Sequence, residues 1–124
     1  MLGAIIGDIV GSVYEFDNIK KKNFELFSQN SFFTDDSAMT VAISNALVAC
    51  KYNYGNLSNI AISKMQNTFE RYPELSYGQK FKFWLMAKEP MPYDSFGNGA
   101  AMRVSAVPYF AKDLDQVIEL SKKV

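Results

Sequence analysis

The sequence predicts an all-α domain. Apolar residues recur at helical spacing in six segments, strand-like alternation is weak throughout, and proline, glycine and capping residues separate the segments. The chain has 124 residues, of which 48% are apolar, so it forms at most one domain and has enough apolar side chains for a core.

The first helix is predicted over residues 2–15. Three glycines, Gly3, Gly7 and Gly11, recur within it at four-residue spacing and form a bare stripe on one face. Each glycine costs a helix about 1 kcal/mol relative to alanine. We therefore expect another backbone, or a ligand, to approach this face closely. Residues 16–33 follow and are predicted to be irregular.

The second helix is predicted to begin at residue 35 or 36 and to end at residue 51. Its apolar residues share one face, which should point into the core. These residues are Met39, Ile43, Ala46 and Leu47.

Four more helices are predicted over residues 57–71, 78–87, 100–107 and 114–123. Pro73 prevents the third helix from continuing, and Pro108 should end or kink the fifth. Asp113 opens a capping box for the last helix. On the fourth helix, Trp84 and the aromatic residues near it are expected to belong to the core.

The composition excludes several classes of function. Lysine plus arginine and aspartate plus glutamate number 13 each, so no charge excess indicates a nucleic-acid or anionic-membrane partner. The absence of histidine excludes serine–histidine–aspartate catalysis, cysteine–histidine catalysis and histidine-ligated zinc within this chain. Any catalysis must therefore use carboxylates, hydroxyls, lysine or a metal ion.

Two features bear on the compartment. The single cysteine, Cys50, cannot form an internal disulfide, which fits a reducing cytoplasm. The apolar segment 1–13 contains Asp8, lacks a basic residue and is too short to span a bilayer. We therefore expect a cytoplasmic chain without a signal peptide or membrane anchor.

Three oxygen-bearing side chains, Thr34, Asp35 and Asp36, stand together where the second helix begins. Carboxylate and hydroxyl oxygens suit Mg²⁺ or Mn²⁺, and the chain offers no histidine for a softer site. Ordinary helix capping explains the same residues, since threonine and aspartate are favoured at helix N-termini. The local sequence leaves both interpretations open.

A second acidic pair occurs on the first predicted helix. Asp8 and Glu15 are seven residues apart and share a face, and Glu15 falls near a helix C-terminus, where the dipole disfavours a carboxylate. Such a residue beside a glycine stripe indicates a cleft. An exposed acid at a frayed helix end is the alternative.

Gly97, Asn98 and Gly99 form a third candidate. Glycines on both sides of Asn98 free the backbone to turn its amides toward an anion, just before a predicted helix N-terminus. A plain turn explains the same residues. Arg103, four residues later, pairs with a phosphate, pairs with a carboxylate, or extends its charged end to solvent.

Together, three segments resemble the ADP-ribosylglycohydrolase family. They are residues 7–11 (GDIVG) with Glu15, residues 33–40 (FTDDSAMT), and residues 97–105 (GNGAAMRVS). They occur in the family's order, and the resemblance extends over nearly the whole chain. Ser37 stands where the family often has threonine, which preserves the hydroxyl.

The resemblance implies a compact orthogonal helical bundle with a centre for two metal ions, Mg²⁺ or Mn²⁺. By the same resemblance, Thr34, Asp35 and Asp36 are metal ligands, and Glu15 is an acidic catalytic or gating residue beside them. Gly97, Asn98 and Gly99 line an ADP-ribose pocket. The implied activity is hydrolysis that removes ADP-ribose from modified protein side chains or related conjugates.

The resemblance covers the N-terminal half of the family only, so residues 1–124 are expected to form a single partial domain, truncated at its C-terminus. The family's later aspartate-rich metal motif has no match, because Asp113 and Asp115 look like a helix cap. Apolar surface left exposed by the truncation should favour self-association. A non-catalytic module that binds ADP-ribose or a protein is the alternative, and a second chain that supplies the missing ligands is a third possibility.

Overall fold

The structure, a computed structural model, describes residues 1–124 and contains six α-helices and no strand. The all-α prediction is therefore confirmed. The helices are α1 (Leu2–Gly11), α2 (Asp35–Cys50), α3 (Leu57–Arg71), α4 (Gln79–Met86), α5 (Gly99–Arg103) and α6 (Leu114–Ser121).

The core is built around α2, which packs most extensively on α3 and also contacts α1 and α5. The apolar face predicted for α2 is buried, with Met39, Ile43 and Ala46 fully shielded from solvent. Cys50 is buried on the same helix as a free thiol. Burial on this scale gives α2 its stability, because tertiary packing of an apolar face outweighs intrinsic helix propensity.

Local signals fix the ends of α2. Thr34 is the N-cap in an extended conformation, and its hydroxyl accepts a hydrogen bond from the Asp36 amide at 3.3 Å. At the other end the chain leaves the helix through Lys51 and Tyr52, whose φ angles are 47° and 65°. Both lie in the left-handed region that commonly ends helices. The predicted boundaries are therefore correct to within one residue.

Two predicted helices are shorter than expected because the backbone tightens into 3₁₀ turns. After α1, residues Ser12–Tyr14 form such a turn, in which the Ser12 hydroxyl donates to the carbonyl of Ile9 at 2.9 Å. After α5, residues Val104–Tyr109 form another, with Pro108 inside it. Proline has no N–H to donate to the carbonyl four residues earlier, so the α-helical pattern cannot continue through it.

Helix α1 is apolar yet buries none of its residues, and Leu2 and Ile6 are exposed. Of the two approaches predicted for its glycine stripe, that of another backbone is wrong for this chain, and that of a ligand stays a prediction. A methyl group added at Gly3, Gly7 or Gly11 would meet nothing within 4 Å. None of the six helices is long and apolar enough to cross a membrane.

Candidate functional site

A cavity of about 790 Å³ lies beside the N-terminal end of α2. Its volume falls within the range of roughly 300–1,000 Å³ that is typical of small-molecule sites. Its walls come from the ends of α1 and α2, from α3 and α4, and from the loop that leads into α5. The sequence-predicted residues that line it are Glu15, Asp35, Asp36, Gly97, Asn98 and Gly99.

Asp35 and Asp36 are half-buried at this wall. The Ser76 hydroxyl donates to Asp35 Oδ1 at 3.0 Å, which favours the ionised form, but burial outweighs it and raises the pKa of Asp35. Burial also raises the pKa of Asp36, and repulsion from Asp35 and Asp8 adds to the shift. The positive charge of Lys82 partly offsets the shift at Asp35, but burial dominates at both carboxylates.

Glu15 lies at the end of the 3₁₀ turn that follows α1 and faces the same cavity. Partial desolvation raises its pKa, and the nearby charges of Asp35 and Asp8 raise it further. Glu15 is exposed just after the helical segment ends, as the alternative from the sequence expected, and it also contributes to the cluster of acids that lines the cavity.

Asp8 is the residue that the sequence interpretation left without a role. Its Oδ2 accepts hydrogen bonds from the backbone amides of Thr34 at 2.8 Å and Ser37 at 3.1 Å, and its Oδ1 accepts the Thr34 hydroxyl. The carboxylate of α1 thus caps α2 and satisfies amides that a helix N-terminus leaves free. The shared face of Asp8 and Glu15 was the only signal for this role in the sequence.

The Thr34 hydroxyl points to Asp8, and Thr34 is buried and does not line the cavity. The capping interpretation of this residue is confirmed, since the hydroxyl also accepts the Asp36 amide. Its assignment as a metal ligand stays a prediction.

The acidic cluster has the chemistry of a hard-cation site, although no three acidic or cysteine side chains are arranged as a ready metal-binding group. Its donors are carboxylate oxygens, which suit Mg²⁺ or Mn²⁺. The carboxylates raise one another's pKa values, and a bound cation would relieve that repulsion. The residue types at this edge of the cavity therefore suit such an ion.

An aromatic wall, formed by Phe81 and Trp84, lines the cavity, and Tyr77 packs against Phe81. Phe81 stacks on Trp84 with ring centres 5.6 Å apart, and the Tyr77 ring meets Phe81 at 6.3 Å. The Trp84 indole N–H donates to the Met91 carbonyl at 2.9 Å and holds the proline-rich loop in place. Phe81 and Trp84 contact the core and also line the cavity, so the prediction that they are simply core residues was incomplete.

Tyr77 lies beneath this wall and is almost completely buried. Burial, together with the negative charges of Asp35 and Glu74, raises the pKa of Tyr77 to about 12. Its hydroxyl therefore keeps its proton at every physiological pH, and it has no hydrogen-bond partner.

The glycine-flanked loop lies above Arg103. The loop is exposed, and the Gly97 amide donates to the Ser95 hydroxyl at 3.2 Å. The following helix, α5, has only 5 residues, so the strong helix dipole expected from the sequence is not available. A methyl group added at Gly99 would lie 3.9 Å from a terminal nitrogen of Arg103.

The Arg103 guanidinium carbon lies 5.6 Å from the centre of the Phe81 ring. Cation–π contacts contribute about 0.5–2 kcal/mol, less than the penalty for placing a charge out of water. Burial accordingly lowers the pKa of Arg103. Its Nε is shielded from solvent without an acceptor, and no carboxylate lies within 4 Å of the side chain.

Comparison with known proteins places the chain in context. The sequence pattern of the ADP-ribosylglycohydrolase family matches residues 1–124. The ADP-ribosylhydrolase ARH3 of Xenopus tropicalis is 26% identical over 148 aligned positions, which cover 98% of this chain and 41% of that protein. The chain thus spans less than half the length of this relative. No solved structure matches it significantly.

Proposed function

The chain belongs to the ADP-ribosylglycohydrolase family, and we propose that its cavity binds an ADP-ribosyl group whose glycosidic bond is hydrolysed at the acidic edge. One observation carries this proposal. Carboxylates from two distant parts of the sequence, Glu15 and the pair Asp35 and Asp36, line a single cavity that the loop at residues 97–99 also lines.

The acidic edge suits the chemistry of glycoside cleavage. Breaking the bond at the anomeric carbon of ribose develops positive charge on the sugar, which nearby carboxylates stabilise. Glu15 has a raised pKa, so it is suited to exchange a proton with the attacking water or the leaving group. Asp35, held by Ser76, has the more fixed position of the two neighbouring aspartates.

The family is metal-dependent in general, and we propose Asp35 and Asp36, with Thr34 beside them, as the residues that hold Mg²⁺ or Mn²⁺ in this chain. The ion would supply positive charge that orients ribose hydroxyls and lowers the pKa of a bound water. Gly97, Asn98 and Gly99 would line the part of the cavity that receives the rest of the ADP-ribosyl group. The substrate class is a protein side chain or a related conjugate that carries ADP-ribose.

A non-catalytic module that binds ADP-ribose is the second candidate. It is favoured by the lack of a third acidic ligand close enough to complete a metal-binding group with Asp35 and Asp36. The chain covers 41% of its relative. If a second chain supplied further metal ligands, this chain alone would bind ADP-ribose without hydrolysing it.

Release of ADP-ribose from peptides modified on arginine or serine tests the proposed function. We expect release by the purified chain to require Mg²⁺ or Mn²⁺ and to stop when the metal is chelated. Binding of ADP-ribose without release would instead establish the module, and neither binding nor release from a folded sample would exclude both.

Replacing Asp36 by asparagine separates metal binding from helix capping. The pKa of Asp36 is raised by the fold, so its stabilising contribution exists below the ordinary carboxylate pKa and is lost as the pH rises through the raised value. Without metal at pH 7, we expect Asp36→Asn to raise the melting temperature by about 2 °C, a value reduced for solvent screening. The gain should disappear near pH 3.

The same variant should lose most of the stabilisation by Mg²⁺ or Mn²⁺, which reaches about 2.7 kcal/mol at a concentration of 100 times Kd. Asp115→Asn is the matched control, because Asp115 is also an acid in the first turn of a helix. It should leave the metal effect intact. An unchanged metal effect in Asp36→Asn would remove Asp36 from the metal site.

A further inference from the structure

We propose that Arg103 is an anion anchor in this cavity and binds a phosphate group of the ligand through its guanidinium. This inference rests on the proposed function, because it assigns the phosphate-bearing part of the ligand to one end of the same cavity. The sequence left three interpretations of Arg103 open, and the contacts of its side chain distinguish them.

Pairing with a carboxylate is excluded within the chain. The ion pairs are Lys112 with Asp113 and Lys123 with Glu119, and neither involves Arg103. Full extension of the side chain into solvent is also excluded, because Arg103 is only partly exposed and its Nε atom is shielded from water and donates to no acceptor. The guanidinium has five N–H donors in a planar fork, and its contacts leave this hydrogen-bonding capacity unused.

A charge that is removed from water without a hydrogen-bonded partner destabilises a protein. Burial lowers the pKa of Arg103, as expected for a guanidinium that is partly removed from water. The stacked Phe81 ring positions the guanidinium but accepts no conventional hydrogen bond from its edge. An anionic ligand that accepts two parallel hydrogen bonds would satisfy it, and phosphate oxygens match that fork.

The surroundings of Arg103 direct this anion into the cavity. Arg103 and Gly99 both line it, and the absence of a side chain at Gly99 leaves the space above the terminal nitrogen open. The other three cations that line the cavity are lysines. Lys123 is paired with Glu119 at 2.7 Å, Lys122 is exposed, and Lys80 is exposed and lies 5.1 Å from the Phe96 ring.

The lining of the cavity carries charges of both signs. Glu15, Asp35 and Asp36 are its acids, and Arg103 is its one partly buried guanidinium. A ligand with a sugar beside the acids and a phosphate beside the guanidinium complements this distribution. An uncharged nucleoside would leave Arg103 uncompensated, so phosphate-bearing ligands are favoured over nucleosides.

The chain contains only two arginines, which allows a direct test by nuclear magnetic resonance. In ¹⁵N-labelled protein, the Nε–H signal of Arg103 should shift and sharpen on titration with inorganic pyrophosphate and with ADP-ribose. Arg71 is exposed and serves as the internal reference. Adenosine and chloride at matched ionic strength should leave both signals in place.

Substitution provides the second measurement. Arg103→Gln should weaken pyrophosphate binding at least tenfold in calorimetric titration, about 1.4 kcal/mol, while Arg103→Lys should retain part of the affinity. Lys80→Gln is the matched control, because it removes a positive charge from the same cavity. It should weaken binding less than threefold.

The affinities of Arg103→Gln for pyrophosphate and for ADP-ribose distinguish a free phosphate from a nucleotide-borne one. Equal loss for pyrophosphate and ADP-ribose in Arg103→Gln would support a phosphate site that accepts free and nucleotide-borne anions, whereas loss for ADP-ribose alone would support a site specific for the nucleotide. An Arg103 signal that neither ligand moves would overturn the proposal even if Arg103→Gln failed to fold. If Arg103→Gln and the unmodified chain bound both pyrophosphate and ADP-ribose with equal affinity, the proposal would also be overturned.

These results are independent of turnover. Phosphate binding through Arg103 without ADP-ribose release would support the anchor and contradict the hydrolase. If Arg103→Gln released ADP-ribose as fast as the unmodified chain and bound pyrophosphate equally well, the hydrolase would be supported and the anchor contradicted.

Discussion

Replacing Asp8 by alanine is expected to lower the free energy of unfolding by about 3 kcal/mol. Its carboxylate accepts three hydrogen bonds from Thr34 and Ser37, and hydrogen bonds to a charged group contribute about 1.5–3 kcal/mol each before losses elsewhere. Removing the charge also relieves repulsion on Asp35 and Asp36, but they are only half-buried and solvent screens that gain. The lost bonds therefore dominate.

Urea unfolding measures this effect, and Asp113→Ala is the matched control. Asp113 also caps a helix, but it is exposed and accepts one amide, that of Gln116 at 2.8 Å. Its loss should cost about 1 kcal/mol, as is usual for a cap. If the two variants lost equal stability, the link between α1 and α2 would contribute no more than an ordinary cap.

Replacing Glu15 by glutamine is expected to reduce ADP-ribose release about 100-fold or more while leaving folding intact. The change keeps the shape of the side chain but removes its ability to exchange a proton, a contribution of about 10²–10⁴ in general acid–base catalysis. Glu15 makes no hydrogen bond or ion pair in the fold, and its repulsion with Asp35 disappears. The melting temperature should therefore be unchanged or slightly higher.

Asp17→Asn controls for the loss of one negative charge near the site. Asp17 is exposed two residues away and does not line the cavity. If ADP-ribose release fell equally in both variants, the effect would come from the loss of negative charge near the site and not from proton exchange by Glu15. Full activity of Glu15→Gln would remove Glu15 from the reaction.

The helices could be predicted from the sequence because their signals are local. Thr34 begins α2, Pro73 follows α3, and Asp113 begins α6, each within a few residues of the backbone that it affects. The two errors in length occur where the α-helix tightens into a 3₁₀ turn. That change depends on a single hydroxyl at Ser12 and on the missing amide of Pro108, and helical periodicity responds to neither.

The residue types of the candidate site could be predicted from the sequence, but the contacts between these residues could not. Carboxylates and a glycine-flanked asparagine stood out as groups, yet the bond between Asp8 and Thr34 joins residues 26 positions apart. The placement of Arg103 over Phe81 likewise depends on how α4 and α5 pack. The glycine stripe shows the opposite error, because its spacing indicated a close contact with another backbone that this chain does not make.

The lack of burial along α1 has a consequence for motion. Asp8 lies on α1 and Glu15 follows the 3₁₀ turn that continues it, but the buried core lies among the other helices. Segments with few buried contacts open without global unfolding. The amides of α1 should therefore exchange with solvent deuterium sooner than those of α2, and each opening would carry Glu15 away from Asp35. The acidic edge of the cavity is thus the part of the site that forms and opens in a local equilibrium. A ligand that bridges Glu15 and Asp35 would shift this equilibrium toward the state in which the two residues lie together.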